Sequence, residues 1–129
     1  MPIRVFHRDK FELQVPLISS DARMIVWPGT GAWDATMNYV SMQPGEENVA
    51  HSHRESEDTI VIIDGFGSVE DLTNGVVQEF EKGDVIHVPP GIRHRVRADR
   101  GSHVVSVGGP CPADLALLKA SGAEIAERD

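Results

Sequence analysis

The stretch HSHRESEDTIVIIDG, residues 51–65, decides how the chain is read. His51 and His53 stand one residue apart, acids cluster at Glu55, Glu57 and Asp58, and Thr59–Ile63 is an unbroken β-branched run closed by Asp64 and Gly65. A run of this kind reads as a strand, because branched side chains pack well on a pleated surface and lose rotamers in a helix. Alternation along a strand points His51 and His53 to the same side, a geometry in which two imidazoles share one ion. Both faces of TIVIID are apolar, so something beyond a barrel interior has to cover one of them.

The segments on either side repeat the pattern. ARMIVW, TMNYVSM, GVVQEF, DVIHVP, HRVRA and SHVVSV are further strands, separated by residues that turn the chain. Asn74-Gly75, between SVEDL and VVQEF, predicts a tight hairpin turn. EKGD at 81–84 and PPG at 89–91 are breaks, since glycine supplies turn geometry and proline donates nothing to a ladder. Short strands at this spacing indicate an all-β sandwich or barrel. Residues 112–129, PADLALLKASGAEIAERD, place Leu115, Leu118 and Ile125 near helical spacing and predict a C-terminal helical tail interrupted at Gly122. PGTGAWD at 28–34 lacks the lysine and hydroxyl of a phosphate loop and reads as surface loop.

Bulk properties bound the function. With 129 residues, 40% hydrophobic and 25% charged, the chain is read as one globular domain, 1–129. A net charge of −8 repels phosphate backbones and anionic lipid, which argues against nucleic acid and membrane partners. No run approaches the roughly 18–20 apolar residues of a membrane span, and the N-terminus lacks a signal-peptide core. One cysteine, Cys111, cannot form an internal disulfide and reads as a buried or idle thiol. A cytoplasmic location is expected.

A third nitrogen ligand is available from His94, which follows the Pro-Pro-Gly turn at the start of another strand, and a carboxylate from Asp58 or Glu57. Neutral imidazoles with one carboxylate suit a single divalent ion: manganese, iron, nickel, cobalt, copper or zinc.

The arrangement resembles the cupin superfamily, small barrels built as a double-stranded β-helix or jelly roll. The family's first motif is matched by Gly45, EENVA, His51, Ser52, His53, RESE, Asp58, TIVIID and Gly65. The second is matched by Gly83, DVIHV, Pro89, Pro90, Gly91, IR and His94, with Ala98 where the family has asparagine. The resemblance spans the core motifs 45–65 and 83–98 and implies His51, His53, His94 and, with Gly65 in register, Asp58 as metal ligands. Asp58 departs from the family's usual glutamate by one carbon, and Glu57 and a site of three histidines alone stay open. The resemblance also implies a homodimer with a small-molecule substrate.

Around such a site Glu57, Tyr39 and His87 are the candidates for acid–base work. Trp33, Tyr39 and Met37 are candidates for the cavity wall, while His7 and His103 read as surface or packing residues and Arg93, Arg95 and Arg97 as facing away from His94. A divalent ion with three neutral imidazoles and a carboxylate favours an anionic oxygen ligand such as an enolate, carboxylate or hydroxy-ketone. The expected chemistry is oxygen-using, of dioxygenase or oxidoreductase type. The alternatives are a non-redox isomerase, dehydratase or decarboxylase, and a non-catalytic ligand-binding protein.

Overall fold

The computed structural model describes residues 2–125. Its strands are β1 Leu13–Gln14, β2 Asp21–Val26, β3 Met37–Met42, β4 Glu57–Asp64, β5 Phe66–Asp71, β6 Val76–Glu81, β7 Val85–Val88, β8 His94–Ala98 and β9 Val104–Cys111, followed by helix α1 Leu115–Ala120. They form two antiparallel sheets, ordered β1-β2-β3-β9-β4-β7 and β6-β5-β8. This is the double-stranded β-helix expected from the motifs. The helical tail is shorter than the predicted 112–129: it ends at Ala120, just before Gly122 at φ 90°, and residues 126–129 lie outside the described residues.

Alternation sets which side chains meet inside. On β8 the inward residues His94, Val96 and Ala98 are buried, while Arg95 and Arg97 face outward and pair with Glu70 and Glu47. On β4 Asp58 and Ile62 are buried, whereas Glu57 and Ile63 are exposed. The core joins both sheets through Ala22, Met24, Val40, Met42, Ile62, Phe80, Val96 and Val104, and Leu118 of α1 seals it.

Two turns carry specific geometry. The predicted hairpin connects β5 to β6, but the tight Asn74-Gly75 turn does not form. Asp71 pairs with Val76 across a four-residue loop in which Gly75 alone takes positive φ. The Asp71 carboxylate is the cause, because it accepts from both the backbone N–H and the side-chain amide of Asn74, at 2.9 Å each, and so extends the loop. At Gly65, φ is 87° and a Cβ would fall 1.9 Å from the His103 carbonyl oxygen, so the first motif's closing glycine is sterically required.

Glu46, beside the first motif's opening glycine, ties that loop to the β2 entry. Its carboxylate accepts from the N–H groups of Gln43 and Ser20, at 2.9 and 2.8 Å, and from the Ser20 hydroxyl. Burial acts to raise its pKa, but these donors together hold it below the ordinary carboxylate value.

Two outcomes are expected in urea denaturation. Gly65→Ala lowers stability by roughly 3–5 kcal/mol, whereas Gly75→Ala, with nothing within 4 Å of the added Cβ, costs about 1 kcal/mol for its φ alone. Glu46→Gln costs about 0.5–1 kcal/mol at pH 7, a screened value for a half-exposed group. Because folding lowers the Glu46 pKa, its contribution is present above the unfolded value and lost as pH falls through the folded one. The gap between wild type and Glu46→Gln therefore closes in acid.

Candidate metal centre

The second sheet continues past β8 through the chain just before β4. Asn48 N–H donates to the Val96 carbonyl, and His51 and His94 exchange both backbone hydrogen bonds, at 3.0 and 2.8 Å. This pairing places two imidazoles that are distant in sequence side by side, with ring centroids 4.5 Å apart. After His51 the chain leaves the sheet and crosses to β4, so the His-x-His pair does not lie on one continuous strand as expected. His53 sits on this crossing, where its carbonyl accepts from the Gly91 N–H of the Pro-Pro-Gly turn at 2.8 Å. One nitrogen from each of His51, His53 and His94 lies within 4.8 Å of the others.

Each ring is oriented by its Nδ1. His51 Nδ1 donates to the Val49 carbonyl at 2.7 Å and His94 Nδ1 to the Ile92 carbonyl at 2.9 Å. His53 Nδ1 donates to Asp114 Oδ2 at 2.8 Å. These partners assign a proton to Nδ1 of each ring and leave Nε2 as the atom available to a metal. Burial lowers the pKa of His51 and His94 despite their carbonyl partners, keeping both rings neutral. For His53 burial also opposes charge, but Asp114 and then Asp58 overcome it and raise the pKa to about 9.

Two atoms test whether a metal fits. His53 Nε2 and Asp58 Oδ1 are buried and have no hydrogen-bond partner among the described residues. Asp58 Oδ2 stands 3.2 Å from His53 Nε2, outside hydrogen-bonding geometry. Converging imidazoles, two of them held neutral by burial, beside a buried carboxylate oxygen without a partner form a donor set that suits a divalent transition metal and is costly without a cation. The three histidines are therefore positioned to bind a metal.

The Cupin_2 family model, a cupin domain, matches residues 38–107, more than half of the chain. The chain belongs to the cupin family. No curated protein matches it. Among solved structures, the polyketide cyclase of Streptomyces resistomycificus is similar at a TM-score of 0.69 and 22% identity, over 86% of this chain and 80% of that one. A double-stranded β-helix protein from Klebsiella pneumoniae gives 0.68 and 20%, covering 98% and 100%. A cupin 2 conserved barrel protein from Salinispora arenicola gives 0.63 and 23%, covering 95% and 96%. These likenesses establish the fold.

The cupin cavity lies between the two sheets and holds about 50 Å³ for water-sized molecules. Its walls include Val40, Met42, Ile60, Val96, Val104 and Leu117, with Asn38, Asn48, Asp58 and Ser106 as polar members. Three candidate acid–base residues fall outside it. Glu57 and His87 pair with each other at 3.2 Å on the outer surface, both more than half exposed. Tyr39 stacks under Arg8 and Arg23, because on β3 it is the flanking Asn38 and Val40 that face the cavity. The same alternation excludes Met37, and Trp33 lines an outer groove instead. Cys111 is exposed rather than buried. His103, also exposed, pairs with Asp64 at 3.1 Å.

Two polar residues of the site escape the sequence reading. Asn38 is 6% exposed and its Oδ1 has no partner, although it lines the cavity. Asn38, a polar residue two positions before Val40 and so on the same face of the strand, was the available signal. Asp114 had none, since it lies 61 residues from His53.

Chelator-treated protein is expected to gain thermal stability when zinc or manganese is added, by about 2.7 kcal/mol at a hundredfold excess over Kd. His94→Ala should abolish the gain while the metal-free protein stays folded. A gain that persists in the variant would show that the ion binds elsewhere.

Proposed function

We propose that the protein is a metal-dependent enzyme acting on a small oxygenated molecule, an enolate, carboxylate or hydroxy-ketone, in oxygen-using chemistry of dioxygenase type. The observation that carries this reading is the convergence of three Nδ1-anchored imidazoles on a mostly apolar cavity. His51, His53 and His94 would hold the ion, with Asp58 as fourth ligand through its unpartnered carboxylate. When bound, a divalent transition metal would polarise a substrate oxygen or bring the substrate next to dioxygen.

The chain's own groups then divide the remaining work. Ile60, Val96 and Val104 exclude water and leave the substrate few polar contacts to satisfy. Asn38 Oδ1 supplies a buried acceptor, which a substrate O–H or N–H would satisfy and thereby fix its orientation. Tyr39, Glu57 and His87, which the sequence offered for acid–base work, lie outside the cavity and take no part in this reading.

A second reading, non-redox isomerisation, dehydration or ring closure at the same centre, is favoured by the similarity in fold to a polyketide cyclase. Assembly enters the proposal as well. Ile63 and Val85 on neighbouring strands β4 and β7 remain 46% and 59% exposed, and a second copy packing sheet against sheet would cover them. Among the described residues no helix is long and apolar enough to cross a membrane.

Elemental analysis of untagged protein, followed by oxygen-electrode assays with hydroxy-ketones, diketones and phenolic acids, tests the reading. Stoichiometric iron, manganese, nickel or copper with oxygen uptake that His94→Ala abolishes is the expected result. Zinc with turnover but no oxygen uptake moves the second reading to first. Bound metal without turnover of any substrate identifies a binding protein. Asn38→Leu should retain the metal, match or exceed wild-type melting temperature, and lower kcat/KM about 10-fold.

A further inference from the structure

Helix α1 reaches the centre through one side chain. Asp114 is 15% exposed, and its two oxygens have different partners. Oδ2 accepts from His53 Nδ1 at 2.8 Å, while Oδ1 accepts from the Leu117 N–H at 3.1 Å and caps the first turn of α1. The segment leading into the helix is fixed on both sides. Ala113 N–H donates to the Trp33 carbonyl at 2.8 Å, and the Ser56 hydroxyl donates to the Pro112 carbonyl at 2.7 Å.

The helix is also a wall of the cavity. Leu117 lines the interior, Leu118 is 4% exposed within the core, and Leu115 and Lys119 face the outer groove together with Asp114. A hydroxyl at position 114 could cap the helix but would be too short to reach His53. An amide has one acceptor oxygen and could serve one partner only. A carboxylate of aspartate length serves both.

We propose that Asp114 is a positioning residue that holds His53 with Nε2 toward the metal and, through its second oxygen, couples that orientation to the docking of α1 against the cavity. This rests on the metal-centre reading above. A carboxylate on the far nitrogen of a ligating imidazole fixes the ring and raises its basicity. Here the same carboxylate also belongs to the wall, so loosening the helix releases the ligand and losing the ligand loosens the helix. With a cavity of about 50 Å³, a substrate larger than a few water molecules needs such a wall to move.

Zinc titration against a chromophoric chelator and amide hydrogen exchange of residues 115–120 test this. Asp114→Ser, which retains a cap, is expected to bind zinc roughly 10- to 100-fold more weakly than wild type. In metal-free protein, His53→Ala should speed exchange of the α1 amides about 10-fold, and His51→Ala, whose ring is tied only to the Val49 carbonyl, should leave it within about 2-fold. If Asp114→Ser does not fold, Asp114→Asn carries the same expectation of weaker binding. Wild-type zinc affinity in the folded variant, or equal acceleration by His51→Ala and His53→Ala, would overturn the coupling and leave the metal centre standing. Wild-type protein that binds no zinc, manganese or iron would overturn both.

Discussion

The structure depends on a buried electrostatic imbalance. Three imidazoles turn their free nitrogens toward one another and a carboxylate lies beside them, yet no donor among the described residues satisfies His53 Nε2 or Asp58 Oδ1. Groups of this kind are destabilising in a dry cavity unless a cation joins them. Asp114 and then Asp58 raise the His53 pKa to about 9 against the cost of burial.

What keeps the site in place is mostly backbone. The exchange of hydrogen bonds between His51 and His94 fixes two rings through the ladder, and the Gly91 N–H anchors the third through the His53 carbonyl. The acceptors then choose the tautomer: two backbone carbonyls and one carboxylate receive the Nδ1 protons. Such a site resists rotation because each ring is held at both its Cα and its far nitrogen.

The fold and the three histidines were legible because they depend on local signals. Gly45, Gly65, Gly83 and Gly91 all take positive φ, and their spacing frames the two motifs. Which carboxylate faces the cavity was only half legible, since apolar residues flank both Glu57 and Asp58 on alternate faces and the sheet partner was needed to orient them. Asp58 pairs with Pro110 and Val88 in the structure and points inward. Tyr39 failed for the opposite reason. Aromatic character suggested a lining residue, but parity assigns that place to Asn38. The Asn74-Gly75 turn yielded to Asp71, whose side chain captured Asn74. Asp114 was invisible because only the path of β9 alongside β4 brings it near His53, and no spacing rule encodes that approach.

The three histidines and much of the lining come from different parts of the barrel. His51, His53 and His94 are carried by the crossing segment and β8, whereas Val40, Met42, Val104 and Ser106 project from β3 and β9 of the other sheet. Substitutions in the lining can therefore reshape the chamber without disturbing the coordinating nitrogens. Divergence toward new ligands, in nature or in the laboratory, has a separable set of positions on which to act.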